Sequence, residues 1–93
     1  MTSVKFYVTL QEGYRDRPGM KRQSLERLAK MEAVPRLGDS VETGLGHRDV
    51  SWVDWDPWEE ESMHAVYVRM EDFYSLSESF DDLLAAFRKR GWR

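Results

Sequence analysis

Cysteine is absent from the 93-residue sequence. This excludes disulfides, thiolate metal sites and a cysteine nucleophile. No apolar run approaches the ~18 residues that a membrane span requires, so no membrane association is expected. The first residues, Met1 to Lys5, contain no apolar leader and run straight into a strand-like pattern, so a cytoplasmic protein is the expectation. Positive charge is not in excess either. With 14 Lys and Arg against 17 Asp and Glu, the formal charge is −3, which counts against nucleic acid as a general partner while leaving room for a local basic patch. Histidine occurs twice, at His47 and His64; general-base work by either would need a nucleophile and an orienting acid brought to it by the fold. No internal repeat or low-complexity segment is present.

What the chain does have is apolar and aromatic substance. Hydrophobic residues make up 41% and aromatics 13%, which removes disorder as the default state. A chain of this length makes one domain spanning 1–93, burying roughly two thirds of its unfolded surface around one core.

Val4, Phe6, Val8 and Leu10 alternate with Lys5, Tyr7 and Thr9, the period-two pattern of a half-buried strand. Gln11 to Gly19 is a polar loop punctuated by Gly13, Pro18 and Gly19. From Met20 to Ala33, Leu25, Leu28 and Met31 recur at threes and Glu26 stands four residues before Lys30, which predicts a short helix ending before Pro35. A turn at Gly38-Asp39 leads into a short strand with Val41, Thr43 and Leu45. Gly44 and Gly46 then bracket a tight connection into Asp49–Trp55. There Val50 and Trp52 fall on one face and Val53 and Trp55 on the other. The strand is either covered on both sides, or a bulge between Trp52 and Val53 switches the faces. A hairpin tip leads to a further strand, Met63 to Met70.

The C-terminal segment predicts an amphipathic helix with Leu76, Phe80, Leu83, Leu84 and Phe87 on one face. Two capping boxes compete for its start, Ser75-x-x-Glu78 and Ser79-x-x-Asp82, and the wider apolar register favours the earlier. Arg88, Lys89 and Arg90 suit its negative end. Gly91 suits a left-handed terminating residue, after which Trp92 is expected to fold back on Phe87. The expected fold class is therefore α+β. It comprises a small antiparallel sheet of about four strands in the order β-α-β-β-β-α, with the C-terminal helix packed on the sheet.

Candidate chemistry is sparse. Gly38-Asp39-Ser40 matches the opening of a GDS-type esterase block, but such hydrolases need a far larger scaffold, and a turn into a strand explains the residues. His47, Asp49 and His64, with Asp54 or Asp56, have ligand types but no recognised ligand spacing. No catalytic residue, metal or cofactor is assigned. The most unusual stretch is Trp52 to Glu61, where three Trp and five carboxylates lie within ten residues. Trp is favoured at binding hot spots, and neighbouring acids steer a basic partner. The candidate partner-binding residues are accordingly Asp54, Trp55, Asp56, Trp58, Glu59, Glu60 and Glu61.

Phe6-Tyr7-x-Thr9-Leu10, Pro35-Arg36-x-Gly38-Asp39-x-Val41, Val53-x-Trp55-Asp56-Pro57 and Val66-x-Val68 together resemble a group of small uncharacterised proteins of actinobacteria and their phages. The resemblance implies a sheet-rich domain, partly rolled into a barrel, without assigned catalytic residues, and a gene carried by a phage or mobile element. The resulting expectation is a non-enzymatic protein-interaction module, in its most concrete form an inhibitor of a host defence or nucleic-acid-handling complex. Its partner would be a protein with a basic surface. Unpaired sheet edges make a homodimer a further expectation. The alternative is a domain that binds a small ligand or single-stranded nucleic acid through Tyr7, Trp52 and Tyr67 on a sheet face.

Overall fold

The computed structural model describes residues 2–15, 18–55 and 64–93. Its elements are β1 (Thr2–Glu12), β2 (Arg22–Met31), β3 (Ser40–Glu42), β4 (His47–Trp55), β5 (His64–Met70), β6 (Phe73–Ser75) and α1 (Phe80–Lys89). The strands form one curled, half-barrel sheet in the order β2-β1-β5-β4-β3, with β6 also paired to β1. The alternation in β1 is realised: Val4, Phe6, Val8 and Leu10 are all buried.

The helix expected over residues 20–33 is instead strand β2. It pairs antiparallel with β1 along its whole length, from Thr2 opposite Met31 to Gln11 opposite Arg22. A threefold spacing of Leu25, Leu28 and Met31 suggested a helical stripe, but Leu28 is 53% exposed and lies on the other face from buried Leu25. The inward set is Leu25, Ala29 and Met31, packed with β1. Glu26 pairs not with Lys30 but across the strands with Lys5, at 3.3 Å. An isolated helix of this length is marginal, whereas the apolar neighbour β1 offers a full ladder of backbone hydrogen bonds.

The sheet is mixed rather than antiparallel, and among the described residues it has six strands rather than about four. β5 and β6 both run parallel to β1, sharing its inner edge: β5 covers Ser3 to Tyr7 and β6 covers Leu10 to Glu12. The β3-β4-β5 meander docks through its last strand because β5 is its most apolar one. Val66, Val68 and Met70 are buried, and setting β5 beside β1 puts these two apolar strands at the centre of the sheet. Short β3 is left at the edge.

β4 carries the face switch, one residue earlier than expected. Val50 pairs with Met70 and Val53 with Val68, with the register shifting between Val50 and Trp52. Ser51 and Trp52 therefore both oppose Arg69, a bulge that keeps Val50 and Val53 on the core side and turns Trp52 outward.

α1 covers the concave face with Phe80, Leu83 and Phe87. Its cap is Ser79, not Ser75: the Ser79 hydroxyl accepts the Asp82 N–H at 3.1 Å. Ser75 is taken by β6, its carbonyl accepting the Gly13 N–H, and this leaves Leu76 62% exposed outside the helix. At the other end the expected Schellman ending is complete. Gly91 has φ +93°, the Gly91 N–H donates to the Arg88 carbonyl, and the Trp92 N–H donates to the Phe87 carbonyl. The Trp92 ring meets Phe87 edge-on at 6.0 Å.

These last residues fasten the sheet. Arg93 exchanges two backbone hydrogen bonds with Glu26 on the outer edge of β2. The Trp92 indole N–H donates to the carbonyl of Thr43, beyond β3, at 3.0 Å. Two adjacent residues thus tie together both edges of the half-barrel.

Candidate interaction surface

The β3–β4 hairpin explains several candidate residues at once. Glu42 folds over its own turn, one carboxylate oxygen accepting the N–H groups of Gly44 at 2.8 Å and Gly46 at 3.0 Å. Its other oxygen lies 3.1 Å from His47 Nδ1. The backbone donors, Gly46 foremost and then Gly44, hold the Glu42 carboxyl below its ordinary pKa, with the His47 charge adding to the effect. His47 is thereby used in the turn. The described residues contain no cluster of three or more His, Cys, Asp or Glu side chains suited to a metal ion. In Gly38-Asp39-Ser40, the Asp39 carboxylate accepts the Arg36 N–H at 2.8 Å and closes a local turn, while Ser40 opens β3.

The convex face, opposite α1, shows two neighbouring rows of side chains. Glu26, Tyr7, Arg69 and Trp52 are successive partners across β2, β1, β5 and β4; Leu28, Lys5, Tyr67 and Asp54 form the next row. Tyr7 and Tyr67 stack with centroids 6.2 Å apart and planes inclined by 28°. Lys5 lies 5.9 Å from the Tyr7 centroid. Burial opposes its charge, but the hydrogen bond to Glu26, together with the Tyr7 and Glu26 contacts, outweighs that effect and raises its pKa.

Trp52 stands at the corner where this face meets the outer edge of β4. It is 55% exposed, and across from it Leu37 is 72% exposed. Between them, a groove of about 780 Å³ runs between the β2–β3 connection and β4, lined by Glu32, Val34, Pro35, Leu37, Trp52 and Val53 among others.

Of the residues singled out in the sequence, Asp54 is exposed on the convex face opposite Tyr67, two residues past the bulge. Trp55 ends β4, opposite Val66. Asp56, Trp58, Glu59, Glu60 and Glu61 lie outside the described residues. Of the C-terminal cations, Arg88 and Lys89 occupy the last turn of α1 and Arg90 its cap, with the Arg90 side chain alongside Gly44. Leu37 was not singled out in the sequence, and Trp52 was named as a contact residue only in the alternative reading, with Tyr7 and Tyr67. The signal for Trp52 was there in the face switch: a bulge places two successive side chains on the same side. Leu37 carried none, since an apolar residue in a turn reads the same whether covered or open.

The chain is thus a sheet-rich α+β domain with an exposed aromatic corner. No protein-family model matches it, and neither curated proteins nor solved structures show a significant similarity to it.

Proposed function

We propose that the chain is a non-enzymatic protein-interaction module whose contact surface is centred on Trp52. The supporting observation is a large aromatic ring, more than half exposed in the interior of a strand, beside exposed Leu37 and an apolar-lined groove. Strand tryptophans ordinarily pack in the core; an exposed one beside a groove has the character of an interface anchor. Asp54 flanks it, and in the sequence Asp56 and Glu59 to Glu61 follow directly, so a basic partner surface is the complement. Inhibition of a nucleic-acid-handling complex is the concrete form of this reading, an acidic surface occupying a site that normally takes nucleic acid.

The test is affinity capture from cells encoding the protein, followed by titration of the purified partner. Trp52→Ala is expected to weaken binding at least tenfold, about 1.4 kcal/mol, without unfolding the domain. Asp54→Lys is expected to slow association and reduce its salt dependence. Unchanged binding by both variants overturns the proposal.

A second reading has its own support in the stacked Tyr7–Tyr67 pair, which lies on the face away from α1 with Lys5 and Arg69 interleaved. Such a platform suits ring ligands or single-stranded nucleic acid. Titration with a short oligonucleotide discriminates: binding that falls steeply with salt supports it, and no binding at low salt removes it.

A further inference from the structure

We propose that the outer edge of β4 accepts an extended segment of a partner protein as an added antiparallel strand, centred on Val53 and carrying basic residues on both sides of an apolar one. The inference rests on reading the Trp52 corner as a contact surface and specifies what binds there.

The backbone directions supply the first argument. Val50 faces outward: its N–H donates to the Asp39 carbonyl at 2.8 Å and its carbonyl accepts the Gly38 N–H at 2.9 Å. Asp49 faces inward, its carbonyl accepting the Glu71 N–H at 2.9 Å. In a regular strand the next outward residue would be Trp52. The bulge opposes both Ser51 and Trp52 to Arg69, so the alternation advances by one and Val53 presents its N–H and carbonyl to the outside. β3 pairs only with His47 to Asp49, and among the described residues no backbone partner meets the outer side of Val53. An open donor and acceptor on one residue are what strand addition uses. In antiparallel pairing a single incoming residue satisfies both.

The side chains choose the occupant. Val53 points to the core side, opposite Val68, so the incoming residue opposite it directs its side chain toward the groove formed with Val34 and Pro35. A β-branched residue fits an apolar strip beside a strand. The two flanking residues fall on the convex side, next to Asp54 and Trp52. Asp54 is exposed and makes no ion pair among the described residues, which selects a cation opposite it. Arginine also stacks on an open indole. A second copy of this chain is the poorer occupant, because antiparallel pairing about Val53 sets Trp52, not a cation, across from Asp54.

The experiment uses the intact chain, labelled with ¹⁵N, and an acetylated, amidated nonapeptide alternating arginine with valine. The same peptide N-methylated at its central valine lacks the N–H that would bond the Val53 carbonyl. The parent peptide is expected to bind and to slow hydrogen exchange of the Val53 amide at least tenfold. N-methylation is expected to weaken binding at least tenfold. Absence of binding at about 1 mM peptide, or equal binding of both peptides, overturns strand addition. Trp52→Ala separates this proposal from the reading beneath it. If that variant loses the peptide while N-methylation has no effect, the contact surface stands and strand addition falls. If N-methylation matters and Trp52→Ala does not, strand addition stands without Trp52 as anchor. A concentration-dependent dimer whose Val53 amide is protected without peptide would assign the edge to a second copy and overturn the proposal.

Discussion

Removing the Trp92 ring is expected to destabilise the domain more than any surface change, because this residue performs three tasks. It is only 3% exposed, it meets Phe87 edge-on, and its indole N–H satisfies the Thr43 carbonyl at 3.0 Å. Truncating a buried Trp to Ala costs about 3–5 kcal/mol, a large share of the roughly 5–14 kcal/mol expected for a domain of this size. Trp92→Phe separates packing from hydrogen bonding. It keeps an aromatic ring against Phe87 but leaves the Thr43 carbonyl unpaired, at about 1–3 kcal/mol. Urea unfolding followed by far-ultraviolet circular dichroism measures both. With m near 1 kcal/mol per molar, the midpoint should fall by about 3 M or more for Trp92→Ala and by about 1–3 M for Trp92→Phe. The thermal midpoint of the alanine variant should drop by at least about 12 °C. A Trp92→Ala variant within about 0.5 kcal/mol of the parent would refute the fastening of the two sheet edges. A Trp92→Phe variant indistinguishable from the parent would refute the contribution of the hydrogen bond and leave packing alone.

Three further outcomes follow from the fold. Leu28→Thr should change stability by no more than about 0.5 kcal/mol in chemical denaturation; a loss of about 2 kcal/mol or more would place Leu28 in a core and contradict the β2 register. Ser79→Ala should cost about 0.5–2 kcal/mol through the lost cap, and an Ala variant with unchanged thermal midpoint would move the helix start elsewhere. The depressed pKa of Glu42 makes the sign of its pH effect definite. Around and below the ordinary carboxylate value of 4.5, the unfolded chain binds the proton more readily than the folded one. The stabilisation is therefore fully present above that value and is lost as pH falls through the lower folded pKa. Glu42→Gln should flatten this acid limb in thermal melts between pH 6 and about pH 2, and an unaltered limb would contradict the turn contacts.

Local signals were legible in the sequence and non-local ones were not. The alternation of Val4, Phe6, Val8 and Leu10 marked β1, and Gly91 with Trp92 marked the helix ending, because a few adjacent residues determine each. The displaced face of Val53 announced the bulge, to within one position. β2 was misread because an edge strand need not bury every second residue: Gln23 and Arg27 share the face of Leu25, which blurs the twofold pattern and leaves a threefold one. The competing caps could not be separated locally. Phe73 to Ser75 become strand only because Leu10 to Glu12 receive them, and those partners lie some sixty residues earlier in the chain. The same distance hid the parallel pairing of β5 with β1, since alternation reports which face is buried and not which strand lies alongside. For the candidate site, the acidic–aromatic segment drew attention to the C-terminal half of β4. The exposure of Trp52 there, beside a groove, depends on a bulge and on a connection arriving from β2.

β1 also has a consequence for the order of events during folding. Its hairpin partner β2 follows within a short loop, while its inner edge is filled by β5 and β6, which are made much later. Local hairpins close in microseconds, and distant strand pairings are slower. During the interval a β1–β2 hairpin carries an apolar face and two open edges, the one on β1 eleven residues long, each a template for pairing with another unfinished chain. Yield on refolding should therefore decline with protein concentration even where the finished domain stays monomeric, and the rate-limiting step should be the arrival of β5 rather than the formation of α1.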